Sequence, residues 1–435
     1  MKRSSVSALG RFSAVIEVPG DKSISHRAVI LGSLARGKTV VRHFLEADDC
    51  LRTADAFRKM GVEISKRGSE WVIRGKGLWG LRKPSGSIYL GNSGTSMRLL
   101  LGVLAGQPFR ATLTGDSSLS RRPMSRVVDP LMKMGASVAG GSGANHAPLT
   151  IQGGTLYPVR HTLAIPSAQV KSALLLAGLY PEGETGVREP IQTRDHTERI
   201  FPAFGKKVKK KGHTVSVIGG KDDLRGTDFY VPGDPSSAAF FVVLAALSAG
   251  SDLLIRRVGL NPTRTHFLEV LKRMKAKIEI HVCSERSAVE PWGDLFVRGA
   301  SRLQATRIRA EEVVSLIDEL PVLMVASAAA EGLTVIQGAS ELRVKETDRI
   351  ASMVTNLSRM GVDIRNRGDN LYIRGGNSFK ASKVKSFGDH RTAMSCLIAG
   401  CLAEGKTTVE ETACIQTSFP SFFSLLKSLS DRKNN

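Results

Sequence analysis

One phrase recurs five times along this chain: the tail of a helix, a Met-Gly or its equivalent, an alternating strand, a turn, and a second strand that ends in glycine. Lys59-Met-Gly-Val-Glu-Ile64 leads to Trp71-Val-Ile-Arg-Gly75, and Lys133-Met-Gly-Ala-Ser-Val138 leads to Leu149-Thr-Ile-Gln-Gly153. The phrase returns at Ala203–Val208 with Val215–Gly219, at Arg273–Ile278 with Leu295–Gly299, and at Arg359–Ile364 with Leu371–Gly375. The glycine after the helix, or the residue replacing it, falls at 61, 135, 205, 275 and 361, where a left-handed helix cap is expected. Such a period means duplication of one α/β unit. The C-terminal helix Phe422 to Leu429 reads as the remnant of a sixth copy, although no hairpin follows it. Six units divide into three per domain, and the turn-rich stretch Pro232-Gly-Asp-Pro-Ser-Ser237 suggests the boundary. The expected domains are 21–234 and a second made of 1–20 with 235–435.

A chain of 435 residues exceeds what one core normally serves, which agrees with two domains. The formal charge of +22 is unusual and admits nucleic acid, an acidic membrane face or small anionic substrates as partners. Three Trp and five Tyr, with none interleaved in the lysine cluster Lys206–Lys211, argue against a base-stacking platform. The alternation of that cluster and the following Gly212-His213 put it on the solvent side of a hairpin. Five scattered cysteines, none in a Cys-x-x-Cys arrangement, argue against a disulfide framework or zinc site and for a reducing cytoplasm. The longest apolar runs, Ala238 to Leu247 and Leu320 to Ala330, are too short to span a bilayer.

The chemistry concentrates at helix starts. Pro19-Gly-Asp-Lys-Ser-Ile-Ser-His-Arg27 follows a strand and opens an apolar helix, so Lys22, Ser23 and Arg27 gather where free backbone N–H groups already favour an anion. Leu90-Gly-Asn-Ser-Gly-Thr-Ser-Met-Arg98 puts glycines and hydroxyls ahead of a second helix without the Gly-Lys-Ser/Thr ending of a Walker loop. Arg121-Arg122 precede a proline that can start a helix, and Pro166-Ser-Ala-Gln-Val-Lys171 caps another apolar helix. In Arg194-Asp-His-Thr-Glu-Arg199, after the Glu189-Pro190 loop, capping by Asp, Thr and Glu is the bland expectation. The second half supplies acids: Ile317-Asp-Glu-Leu-Pro321 opens an apolar helix, and helical spacing in Glu341–Arg349 would cluster Lys345, Glu346 and Arg349, as in an exposed salt-bridged helix. Gly388-Asp-His-Arg391 adds a further polar helix start. Cationic helix N-termini from both halves, with a few carboxylates, describe a cleft for polyanionic ligands containing acid and base groups.

From Pro19 to Pro420 these motifs, in this order, resemble the 5-enolpyruvylshikimate-3-phosphate synthase family of enolpyruvyl transferases. The resemblance implies an α/β fold of two similar domains, each a threefold repeat of a βαβαββ-like unit, with the active site in the interdomain cleft. It implies transfer of the enolpyruvyl group of phosphoenolpyruvate to the 5-hydroxyl of shikimate 3-phosphate with release of phosphate, without metal or organic cofactor. Carried over residue by residue, Lys22, Ser23, Arg27, Ser167, Ala168, Gln169, Arg194, Asp318 and Lys345 would hold shikimate 3-phosphate. Lys22, Gly94, Arg122, Gln169, Glu346, Arg349, His390 and Arg391 would surround phosphoenolpyruvate. Asp318 is the expected base for the hydroxyl and Glu346 the expected acid at the methylene carbon, with Lys22 assisting. The expected partners are these two small molecules, with no nucleic acid and no membrane, on a cytoplasmic monomer that closes on its first substrate.

Ser167-Ala-Gln169, Arg194-Asp-His-Thr197 and Thr417, where many relatives have lysine, resemble the branch of the family that contains glyphosate-tolerant members. Tolerance in that branch goes with alanine where this chain has Gly94, so glyphosate sensitivity is expected. The rival transferase acting on UDP-N-acetylglucosamine carries a reactive cysteine on a mobile loop, and this chain has no cysteine between Cys50 and Cys283.

Overall fold

The computed structural model describes residues 2–221, 224–284, 289–300, 302–376 and 378–431. The chain divides into two compact units, Gly20–Val231 and Met1–Pro19 with Pro232–Asn435. In Gly20–Val231 there are three four-stranded sheets of one design. The first runs Asp228–Tyr230, Arg36–Arg42, Glu70–Lys76, Glu63–Arg67, with the first pair parallel and the others antiparallel. Val40 lies opposite Val72 in this sheet, so the apolar positions of neighbouring strands fall in register. The second (Ile88–Tyr89, Arg110–Thr114, His146–Gln152, Ser137–Gly140) and third (Arg160–Thr162, Gly183–Arg188, Thr214–Gly219, Val208–Lys211) repeat its order and directions.

The helices Lys22–Leu34, Gly94–Ala105 and Ala168–Ala177 are buried almost from end to end. Leu99-Leu100-Leu101 and Leu174-Leu175-Leu176 explain why: a helix apolar on every face must lie inside. The helices Asp48–Lys59 and Ser125–Lys133 bury one face only and lie outside. Close packing of the inner helices needs Gly102, where a Cβ would stand 2.2 Å from the Ala173 carbonyl oxygen.

The other unit contains two four-stranded sheets of the same order and directions, built on Asp252–Gly259 and Leu333–Ile336, around the inner helices Pro235–Leu247, Leu320–Ala329 and His390–Cys401. Its remaining sheet has three strands, Lys383–Lys385, Lys406–Glu410 and Arg3–Ser7. Arg3–Ser7 runs antiparallel to Lys406–Glu410, from Arg3 opposite Glu410 to Ser7 opposite Lys406. The sixth repeat, which has no hairpin of its own, is therefore completed by the N-terminus. Its last helix, Phe422–Asp431, joins the core where Phe422 stacks edge-on to Phe240 and Phe419.

The repeat glycines have two distinct duties. Gly61, Gly135, Gly205 and Gly361 take positive φ after their helices, and Lys275 takes the same conformation with φ 70°. Gly75, Gly153, Gly219, Gly299 and Gly375 lie within one residue of the end of the second strand of each hairpin, and a Cβ at any of them would come within 2.3 Å of a carbonyl oxygen. Glycine is required there by the closeness of strand and helix rather than by backbone angle. Among the described residues no helix is long and apolar enough to cross a membrane, and no His/Cys/Asp/Glu cluster suits a metal ion.

Candidate active site

Each unit carries an array of polar side chains at and just before the starts of its helices. In Gly20–Val231, Asp21 caps the first helix by accepting from the Ile24 N–H at 2.9 Å, which sets Lys22 and Ser23 on its first turn. Lys22 Nζ donates to Asp49 Oδ2 at 3.0 Å. Arg27, one turn on, donates to the Ser23 carbonyl at 2.8 Å, to Thr197 Oγ1 at 2.7 Å and to Ser172 Oγ at 2.7 Å. Its guanidinium is thus fixed by three chain segments. His26 is buried beside Lys22 and Arg27 with Nδ1 2.8 Å from Thr53 Oγ1, and burial followed by those two cations pushes it down to about 3. It stays neutral and serves packing.

Ser93 caps the second inner helix through the Ser96 N–H at 3.1 Å, leaving Gly94 as its first residue. Arg98, one turn along, donates to Gln169 Oε1 at 2.6 Å and to the Pro123 carbonyl at 3.1 Å. Gln169 in turn donates to Thr95 Oγ1 at 2.9 Å. Arg122 binds Asn92 Oδ1 and lies 3.5 Å from Ser118 Oγ. A Cβ at Gly94 would come within 2.9 Å of Arg98 Nη1 and 3.0 Å of Arg122 Nη1. Ser167 caps the third inner helix by accepting from the Val170 N–H at 3.4 Å, and Ala168 and Gln169 open it. The second, third and first helix starts are thereby joined to Arg122 and Arg27 in one unit, with Arg194 half-buried and Arg121 exposed.

In the other unit Arg349 is the centre. Its guanidinium, 1% exposed, donates to Asp389 Oδ2 at 2.8 Å, Glu346 Oε2 at 2.7 Å and Asp318 Oδ1 at 3.2 Å. Although burial alone opposes its charge, these three carboxylates raise its pKa. Arg391 donates to the Asp318 carbonyl at 2.8 Å and lies 3.3 Å from Asp318 Oδ1. Asp389 also caps its helix, accepting from the N–H groups of Arg391 and Thr392 at 2.7 and 3.0 Å, with buried His390 as first helical residue. Lys345 lies 3.9 Å from Glu341, and desolvation depresses it to about 8 against the attraction of Asp318 and Glu341.

Three expectations need correction. Glu341–Arg349 is not one helix: Ser340–Val344 is a 3-10 turn, Lys345 is extended, and the α-helix begins at Arg349 behind its cap Asp348. Glu346 still meets Arg349, but through a loop, while Lys345 turns to Glu341. Asp195, Thr197 and Glu198 do not cap their helix; Asp195 pairs with Arg199 and Lys210, Thr197 accepts from Arg27, and Glu198 lies 2.7 Å from Lys171. Lys206 is only 3% exposed, whereas Lys207 and Lys209–Lys211 are on the surface, so the basic cluster is not wholly solvated. Asp49, Arg98, Ser172 and Asp389 escaped the sequence reading as partners of these groups. Arg98 had a local signal, four residues after Gly94 and hence on the same helix face, and Asp389 had one as the cap of a polar helix start.

The model of the EPSP synthase (3-phosphoshikimate 1-carboxyvinyltransferase) family matches residues 6–426. The chain belongs to this family. It is 51% identical over 418 residues to the 3-phosphoshikimate 1-carboxyvinyltransferase of Geobacillus kaustophilus, covering 95% of this chain and 97% of that one. With the Geobacter metallireducens protein of the same name it shares 53% over 417 residues, 96% of each chain. The solved EPSP synthase of Acinetobacter baumannii superposes with a TM-score of 0.87 at 44% identity over 98% of both chains. The fold of a repeated α/β unit in two domains is thereby that of EPSP synthases. The activity is enolpyruvyl transfer from phosphoenolpyruvate to shikimate 3-phosphate, a step of the shikimate pathway leading to the aromatic amino acids.

Proposed function

We propose that the two arrays share this transfer unequally, the array of Gly20–Val231 supplying most of the acceptor contacts and the Arg349 array supplying the acid and the base. Lys22, Ser23, Arg27, Ser167, Ala168, Gln169 and Arg194 would bind shikimate 3-phosphate together with Asp318 and Lys345. Lys22, Gly94, Arg122, Gln169, Glu346, Arg349, His390 and Arg391 would receive phosphoenolpyruvate. The observation that carries the division is the fan of Arg349, which brings two carboxylates from separate segments, Asp318 and Glu346, within one hydrogen bond of the same cation.

Asp318, oriented by Arg349 and Arg391, takes the proton of the 5-hydroxyl as its oxygen bonds to C2 of phosphoenolpyruvate, while Glu346 protonates C3 to a methyl group. The tetrahedral product then returns a proton from that methyl group to Glu346 as the bond from C2 to the phosphate oxygen breaks, and protonated Asp318 gives its proton to the departing phosphate, so the vinyl bond returns and both carboxyl groups are reset. Lys22 assists these transfers, and Arg122, Arg349 and Arg391 offset the charge of the carboxylate and the departing phosphate. The residues supply acid, base and anion recognition themselves, so the proposal includes no metal or organic cofactor. It also takes the enzyme as a cytoplasmic monomer without nucleic-acid or membrane partners, and, because position 94 is glycine, as glyphosate-sensitive.

Phosphate release from purified protein, with each substrate omitted in turn, tests the reaction. Release should require both. Release with UDP-N-acetylglucosamine in place of shikimate 3-phosphate would redirect the assignment.

A further inference from the structure

Lys171 lies on the third inner helix two residues after Gln169, with its ammonium 1% exposed. It stands 2.7 Å from Glu189 Oε2 and 2.7 Å from Glu198 Oε1, carboxylates that are themselves almost fully buried. Glu189 also accepts from the Thr193 hydroxyl and, at 3.4 Å, from the Thr193 N–H. One ammonium thus pins both ends of the segment 189–198, and Arg194 lies between the pinned ends. The next residue, Ser172, accepts from Arg27 at 2.7 Å and from Thr197 Oγ1 at 2.8 Å, while Thr197 itself accepts from Arg27.

Burying three charges is costly, and an apolar side chain would pack a leucine-rich helix at lower cost. What the ion trio supplies instead is direction: it fixes where the segment 189–198 runs. We propose that Lys171, through Glu189 and Glu198, is a positioning residue for shikimate 3-phosphate recognition, setting Arg194 by pinning its segment and Arg27 by holding Thr197 beside Ser172. This rests on the reading that Arg27 and Arg194 bind that substrate. None of the three ionised residues touches substrate or reacting atoms in this scheme; they act through the two arginines.

The test is steady-state kinetics of Glu189→Gln and Glu198→Gln, which keep shape but remove one charge of the clamp, with active sites counted. The KM for shikimate 3-phosphate should rise at least about tenfold, as expected when positioning is lost. The KM for phosphoenolpyruvate and kcat per active site should change far less. The triple variant Lys171→Met, Glu189→Gln, Glu198→Gln removes the buried charges together, so it should fold and show the same raised KM. Folded variants whose only defect is a smaller active fraction, with KM unchanged, would overturn the proposal and leave the trio a purely structural element. Arg194→Ala separates the two readings. If it raises that KM and the glutamine variants do not, the clamp is wrong; if it too leaves KM unchanged, the assignment of Arg194 fails and the clamp fails with it.

Discussion

The arrays of the two units are wired differently. Arg27 is held through a carbonyl and two hydroxyls, and Arg98 through an amide and a carbonyl, whereas Arg349 is held through three carboxylates. A cation ringed by three carboxylates orients them, and its own charge is largely offset, while in the Gly20–Val231 array Lys22 meets Asp49. The lesson is that a repeated fold can carry differently wired polar arrays in its two units, which the proposed function reads as mainly acceptor binding in one and the acid and base in the other.

That contrast breaks most sharply at Asp318. Asp318→Ala removes the proposed base and a partner of both Arg349 and Arg391, so kcat for phosphate release should fall by about a thousandfold, within the usual span for general base catalysis. Glu346→Gln keeps a hydrogen-bond acceptor for Arg349 but donates no proton at C3; a drop of roughly a hundredfold in kcat is expected in the same assay. On the binding side, Arg27→Ala should raise the KM for shikimate 3-phosphate by roughly ten- to a hundredfold, the scale of lost hydrogen bonds to a charged group, with a smaller change in kcat.

Lys345 is the cation of the acidic array proposed to bind the acceptor. Its pKa is depressed to about 8, so its charge is present below that pH and lost as pH rises through it. The kcat/KM for shikimate 3-phosphate, which reports the free enzyme, should therefore decline above about pH 8 by up to about tenfold per unit, and Lys345→Met should flatten that limb. The smallest effect is expected of Gly94→Ala. The added Cβ meets the Arg98 and Arg122 guanidinium groups at 2.9 and 3.0 Å, contacts that flexible ends can relieve. A rise of several-fold in the KM for phosphoenolpyruvate and a larger rise in the inhibitory concentration of glyphosate should appear together in inhibition kinetics, since overpacking typically costs about 1–3 kcal/mol.

Most of the architecture could be read from the chain because its determinants are local. Helix caps, period-two strands and the closing glycines recur within each repeat, and the cap residues Asp21, Ser93, Ser167 and Asp389 stand directly before the helices they start. What escaped is long-range or depends on a backbone break. Nothing near Arg3–Ser7 signals that it pairs with Lys406–Glu410, some four hundred residues away. The extended Lys345 interrupts a stretch whose charges have helical spacing, since Asp348 caps a new helix behind it. Lys171 reads as an ordinary cation until the fold brings Glu189 and Glu198 to it.

The division of labour is tested most directly by calorimetric titration of shikimate 3-phosphate into Glu346→Gln. If the acceptor is held mainly by the array of Gly20–Val231, the Kd should stay within about threefold of wild type, under 1 kcal/mol, while turnover is lost. A Kd that weakens in step with the fall in kcat would contradict it, because the acceptor would then be held as much by the Arg349 array as by that of Gly20–Val231.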